Sequence, residues 1–250
     1  MTWSYDEHCD ALEREAAAFA ATVRQADPAL EVPTCPGWTI ADLIEHHGRS
    51  QRRVELVVRT LAQQPVWSKD VAIGLPDEPG DYADWFAAGV APVVATLRAA
   101  DPDAPMWTNG ADQRVRYWAR RILFEAVVHR ADAEIALGVK PAIDPRTAAD
   151  GIDELFTLLP CFTRITDRLR NLGRDGDTLL FDSTDSAWTV TLTEDGFIWN
   201  HDRPAATVTI RATTGDLLLT VYGRLKPGDP RLTVSGDEAL LAVWLDRSAL

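Results

Sequence analysis

The sequence is poor in cysteine and in positive charge, and it has no long apolar run. Its three cysteines, Cys9, Cys35 and Cys161, are far apart, odd in number and without a C-x-x-C pair. That excludes a disulfide framework and a thiolate zinc site. Cys35 is expected to be a small apolar residue in a rigid turn rather than a nucleophile. Lys and Arg together number 25 against 38 Asp and Glu, a net charge of −13. Such a chain has no basic face for nucleic acid or an anionic membrane, although one or two local arginines suffice for a small anion. No stretch approaches membrane-spanning length, and no charged start leads into an apolar run, so neither a membrane segment nor a secretory leader is expected. The expected location is cytoplasmic. Internal repeats and low-complexity tracts are missing as well.

What is present is ordinary for a folded protein: 46% hydrophobic and 25% charged residues over 250 positions. That suffices for one large domain or two small ones with a full core. Residues 1–140 read as four helices. The first, Tyr5 to Gln25, places Leu12, Ala16, Phe19 and Val23 on one stripe and stops before Asp27-Pro28. Thr39 is a good N-cap for a second helix reaching about Gln63, with Ile40, Leu43, Ile44, Val54, Val57 and Val58 on its buried side. A Pro/Gly-rich connection covers 64–80. The third helix, about Tyr82 to Ala100, contains Pro92 and should kink or start late. The fourth spans about Val115 to Leu137 and ends at Gly138. Lys140 to Pro145 reads as a linker.

Residues 146–250 read as a small α+β unit. A helical stretch from Ala148 to Leu172 is interrupted at Pro160. Strand-like runs follow at Thr178–Asp182, Ala187–Thr193, Gly196–Asn200 and Ala205–Arg211, with hairpin chemistry at Glu194-Asp195-Gly196. A helix at Thr214–Tyr222, a strand at Leu232–Ser235 and a helix at Glu238–Asp246 close the chain.

The chemistry concentrates in the fourth helix. Glu125 and His129 are four positions apart and therefore share a face. Both suit a borderline metal such as Zn2+, and one more imidazole would give a His2Glu set with an open position. Two helical ligands plus one from a facing helix is a pattern for a metal site in a bundle core. His46, on the second helix, is the candidate third ligand. Its neighbour His47 aligns better with the apolar positions Ile40, Ile44 and Val54, and periodicity does not decide between them. Taken alone, an E-x-x-x-H pair is commonly a surface contact of roughly 0.2–0.5 kcal/mol. Here Asp132 extends the stripe among Ile122, Ala126, Val127 and Val128, and burying such a stripe needs a metal or a counter-charge. Asp132 can orient the His129 imidazole or pair with an arginine.

The run Val32-Pro33-Thr34-Cys35-Pro36-Gly37-Trp38-Thr39-Ile40-Ala41-Asp42-Leu43-Ile44-Glu45-His46-His47-Gly48-Arg49 resembles the N-terminal signature of the mycothiol-dependent maleylpyruvate isomerase family. The run Glu125 to Glu134 resembles the same family's second signature. Looser similarity covers Gly215 to Arg224 and Val234-Ser235-Gly236-Asp237. The resemblance implies a DinB-like four-helix bundle holding one divalent metal, usually zinc, followed by a sterol-carrier-like α+β domain. It implies His46, Glu125 and His129 as the metal ligands, and it favours His46 over His47. One departure stands at Phe124, where these proteins often carry a polar residue or His.

The activity implied is that of a zinc- and mycothiol-dependent isomerase or S-transferase. A metal-bound thiolate would add to the double bond of a small electrophilic acid such as maleylpyruvate, permit rotation and leave. The expected partners are a small thiol and that acid, with the chain a monomer or homodimer. Arg224 is the candidate catalytic and cofactor-binding residue, contacting an anion at the domain interface; Arg130 and Arg49 are weaker candidates. Two other readings compete: a sensor or carrier that binds metal and an apolar ligand without turnover, and a metal-dependent hydrolase. The hydrolase is the weaker enzymatic reading, because Glu125 cannot easily be both ligand and base and no second inward carboxylate is evident except Asp132.

Overall fold

The computed structural model describes residues 3–250, which divide into two compact units, the first ending at Pro141 and the second spanning Ala142–Leu250. In the first unit, α1 (Tyr5–Val23) opens with a capping box in which Ser4 and Glu7 each accept from the other's backbone N–H. Leu12, Ala16, Phe19 and Val23 are all buried. The second helix, α2 (Ile40–Arg59), has the same device in Thr39 and Asp42. It ends short of Gln63 because Leu61 turns to φ +45°. The segment from Ser68 to Asp81 is irregular apart from short 3-10 turns at Ser68–Asp70 and Pro79–Asp81. The third helix, α3 (Tyr82–Ala99), runs unbroken through Pro92, so the expected late start does not occur. The fourth, α4 (Val115–Ala136), stops where Gly138 adopts φ +72° and donates to Ile135 O.

Helix α1 packs on α3 and α4, and α2 packs on the same two. Phe19, Phe86, Leu97, Trp118 and Leu123 fill the space between them, each at most 2% exposed. Phe124, the residue before Glu125, is fully buried and belongs to this core.

The second unit begins earlier than the sequence implies. Pro145 is not a linker residue: it is the first residue of α5 (Pro145–Leu158), whose N-cap Asp144 accepts from Thr147 N at 2.9 Å. Pro160 lies in a 3-10 turn, Leu159–Cys161, that separates α5 from α6 (Thr163–Arg170). Five strands then form one sheet: β1 (Thr178–Asp182), β2 (Ala187–Thr193), β3 (Gly196–Asn200), β4 (Val208–Arg211) and β5 (Thr233–Gly236). Their order is β3-β2-β1-β4-β5, with β1 and β4 parallel and the other pairs antiparallel. The connection between β4 and β5 includes α7 (Thr214–Val221), and α8 (Glu238–Ser248) follows β5.

The hairpin at Glu194-Asp195 closes with Thr193 opposite Gly196, which sits at φ +121°. Strand β4 starts at Val208 rather than Ala205 because the Thr207 N–H is taken by the Thr178 hydroxyl at 3.0 Å. Phe156, Phe181 and Trp244 meet ring to ring in the core at centroid separations of 5.4–5.9 Å. The whole chain is thus α+β, a helical N-terminal region followed by a sheet with helices. No helix among the described residues is long and apolar enough to cross a membrane.

Candidate metal centre

Helix α4 presents Glu125 and His129 on one face, and α2 turns His46 toward them. One ligand-capable atom from each of the three lies within 4.8 Å of the other two. Glu125 Oε2 is the shared point: His129 Nε2 is 3.1 Å away and His46 Nε2 3.9 Å. Ligands about 2.0–2.1 Å from a tetrahedral zinc stand roughly 3.3 Å from one another. The donor set suits such an ion in chemistry; the Glu125–His129 pair stands at that spacing and His46 somewhat further off. A second group, Cys35, His129 and Asp132, shares His129 with the first.

The second carboxylate oxygen of Glu125 is engaged elsewhere. Arg121, one turn earlier on α4 and buried, donates to Oε1 at 2.9 Å. Burial alone would push the Glu125 carboxyl up. Arg121 outweighs it, with help from His129 and His46, and holds the group well below the usual carboxylate range. Arg121 is a partner of this candidate ligand that the sequence pattern did not single out. Its signal was the i−4 spacing from Glu125, the same rule that had paired Glu125 with His129.

His129 is held at both ring nitrogens. Nε2 faces Glu125, and Nδ1 lies 3.0 Å from Asp132 Oδ2. Desolvation would lower its pKa, but hydrogen bonds to Asp132 and Glu125 overcome that and raise it. His47 has a different environment. It is fully buried against Phe19 and Phe86, and neither ring nitrogen has a hydrogen-bond partner among the described residues. Desolvation, reinforced by His129, keeps it well below the normal histidine value and therefore neutral. The structure brings His46, not His47, to Glu125. Trp38 lies over the two facing imidazoles, with ring centroids 4.8 Å from His46 and 6.4 Å from His129.

The remaining candidates are placed as follows. Cys35 is half-buried and not simply packed as a small apolar residue: its thiol donates to Asp132 Oδ2 at 3.4 Å. Arg130 is buried between Glu15 and Glu134, each 2.6 Å away, and Arg49 pairs with Glu45. Both are engaged in ion pairs within the bundle. Arg224 follows α7 in the second unit, with Nη1 donating to Tyr222 O at 2.8 Å.

A helix bundle presenting two imidazoles and a carboxylate, followed by a five-stranded α+β unit, defines the class. Residues 9–134 match the mycothiol maleylpyruvate isomerase N-terminal domain, and residues 146–242 match that family's C-terminal domain. The chain belongs to the mycothiol-dependent maleylpyruvate isomerase family. Its fold is similar to the crystal structure of the mycothiol-dependent maleylpyruvate isomerase, with a TM-score of 0.61 and 16% identity over 94% of this chain and 96% of that one. A histidine-to-alanine mutant of that isomerase gives a TM-score of 0.61 at 15% identity over the same shares. No curated protein matches the chain.

Proposed function

We propose that this protein is a metal- and mycothiol-dependent isomerase or S-transferase acting on a small electrophilic acid of the maleylpyruvate type. The observation that carries the reading is the convergence of His46 Nε2 and His129 Nε2 on Glu125 Oε2. Zinc, the metal best suited to that set, would supply Lewis acidity that lowers the pKa of a thiol at the remaining position.

The chain's own groups would do the rest. Arg121 keeps Glu125 ionised and aims Oε2 inward. Trp38 covers the imidazoles and limits water at that side. Arg224 is the proposed anion contact, a fork of donors suited to a substrate or cofactor carboxylate. Three cysteines outside disulfides agree with a cytoplasmic location, and the active form would be a monomer or homodimer.

The test is conversion of maleylpyruvate by zinc-loaded protein with and without mycothiol. Thiol-dependent turnover that falls in Arg224→Ala at unchanged metal content supports the reading. Metal-loaded protein with no thiol-dependent turnover would contradict it and favour the carrier.

A further inference from the structure

Asp132 is fully buried, and its two oxygens serve two separate parts of the bundle. Oδ1 accepts from the Thr34 hydroxyl at 2.6 Å. Oδ2 faces His129 Nδ1 at 3.0 Å and accepts from the Cys35 thiol at 3.4 Å. Thr34 and Cys35 belong to a tight turn closed by Val32 N to Trp38 O at 2.9 Å and Cys35 N to Val32 O at 2.9 Å, with Gly37 at φ +84°. That turn carries Trp38 to its place beside His46 and His129.

We infer that Asp132 is a positioning residue that orients His129 for a metal and seats the Trp38 turn above it through Thr34 and Cys35. Nδ1 of His129 lies against Asp132 Oδ2 while Nε2 faces Glu125, so a hydrogen held on Nδ1 by Asp132 would leave the Nε2 lone pair for a metal. Thr34 and Cys35 supply donors to the same carboxylate from the turn. Imidazole orientation and turn position therefore depend on one group. The inference rests on the metal reading of this site.

The experiment compares zinc affinity, by competition with a chromophoric chelator, in the unmodified protein, Asp132→Ala, Asp132→Asn and Thr34→Val. Alkylation of Cys35 is followed by mass spectrometry. Asp132→Ala should bind zinc about 10- to 100-fold more weakly, and Cys35 should react several-fold faster. Asp132→Asn, which keeps an acceptor for Nδ1, should recover most of the affinity. Thr34→Val leaves α4 untouched and should speed Cys35 alkylation even if Asp132→Ala fails to fold. Zinc affinity and Cys35 reactivity unchanged in the Asp132 and Thr34 variants would overturn the inference. If the unmodified protein binds no zinc, the metal reading fails and the ring-nitrogen NMR shifts of His129 decide the inference. A hydrogen on Nδ1 that is lost in Asp132→Ala supports it; the same tautomer in both contradicts it.

Discussion

His46 and His47 are consecutive on α2 yet occupy opposite environments: His46 faces Glu125 with a side chain 42% exposed, while His47 is sealed between Phe19 and Phe86. A step of about 100° around a helix separates the two side chains, which is enough to place one at the site and the other in the core. The difference has consequences for stability that can be measured without any metal.

In metal-free protein the two buried histidines impose opposite pH dependences. His47 stays neutral in the fold, so the unfolded chain gains a proton that the fold does not as pH falls below about 6.5. Its effect is to lower stability on the acid side. His129 has a raised pKa, so its contribution is complete below about 6.5 and is lost as pH rises through the folded value. Urea unfolding at pH 5, 6.5 and 8 should show His47→Phe flattening the acid limb. At neutral pH that variant should also gain roughly 1–3 kcal/mol by removing unpartnered buried nitrogens. Lower stability at neutral pH would contradict this account of His47.

Gly48, next to His47, lets Trp85 approach α2. A Cβ at Gly48 would stand 2.2 Å from the indole. That ring is held by Nε1 donating to Ile73 O at 2.9 Å and by Arg52, whose Cζ is 3.7 Å from the ring centroid. Alanine gains about 0.8–1.0 kcal/mol of helix propensity. Forcing a pinned indole aside costs about 1–3 kcal/mol, so the clash should prevail. Gly48→Ala should melt below the unmodified protein; an equal or higher Tm would show that Trp85 yields easily.

The three cysteines should differ in reactivity. Cys9 is fully buried, and burial pushes its thiol up to about 11, so at pH 8 it is almost entirely un-ionised. Cys161 is exposed and Cys35 half-buried. Alkylation at pH 8 followed by peptide mapping should modify Cys161 first and Cys9 last. Early modification of Cys9 would mean that α1 opens readily.

Arg121→Met should separate the anchoring of Glu125 from its ligand role. It leaves a largely buried carboxylate without its nearest cation, at a cost of about 1.5–3 kcal/mol for a charged hydrogen bond. The carboxyl should titrate at higher pH by carbon NMR. An unmoved Glu125 titration would assign its low pKa to the histidines instead.

Much of the fold was legible because the local signals agreed with the tertiary structure. Thr39 capped α2 as its sequence implied, and the Leu12-Ala16-Phe19-Val23 stripe became the buried face of α1. The pair at positions 125 and 129 was legible for the same reason, since helical spacing alone places both on one face. Pro145 was misread because a proline beside other loop residues signals a linker as well as a helix start, and only the Asp144 cap distinguishes them. Thr34 was missed because its partner Asp132 is 98 positions away. The choice between His46 and His47 depended on which face of α2 meets α4, a tertiary fact that periodicity does not contain.

The most direct test of the central claim is the zinc content of protein purified without chelators, measured beside His46→Ala and His129→Ala with circular dichroism as a check on folding. One equivalent of metal in the unmodified protein, lost in both folded variants, is the predicted result. No metal in the unmodified protein after reconstitution, or full retention in either variant, would contradict the assignment of His46, Glu125 and His129 as a metal site.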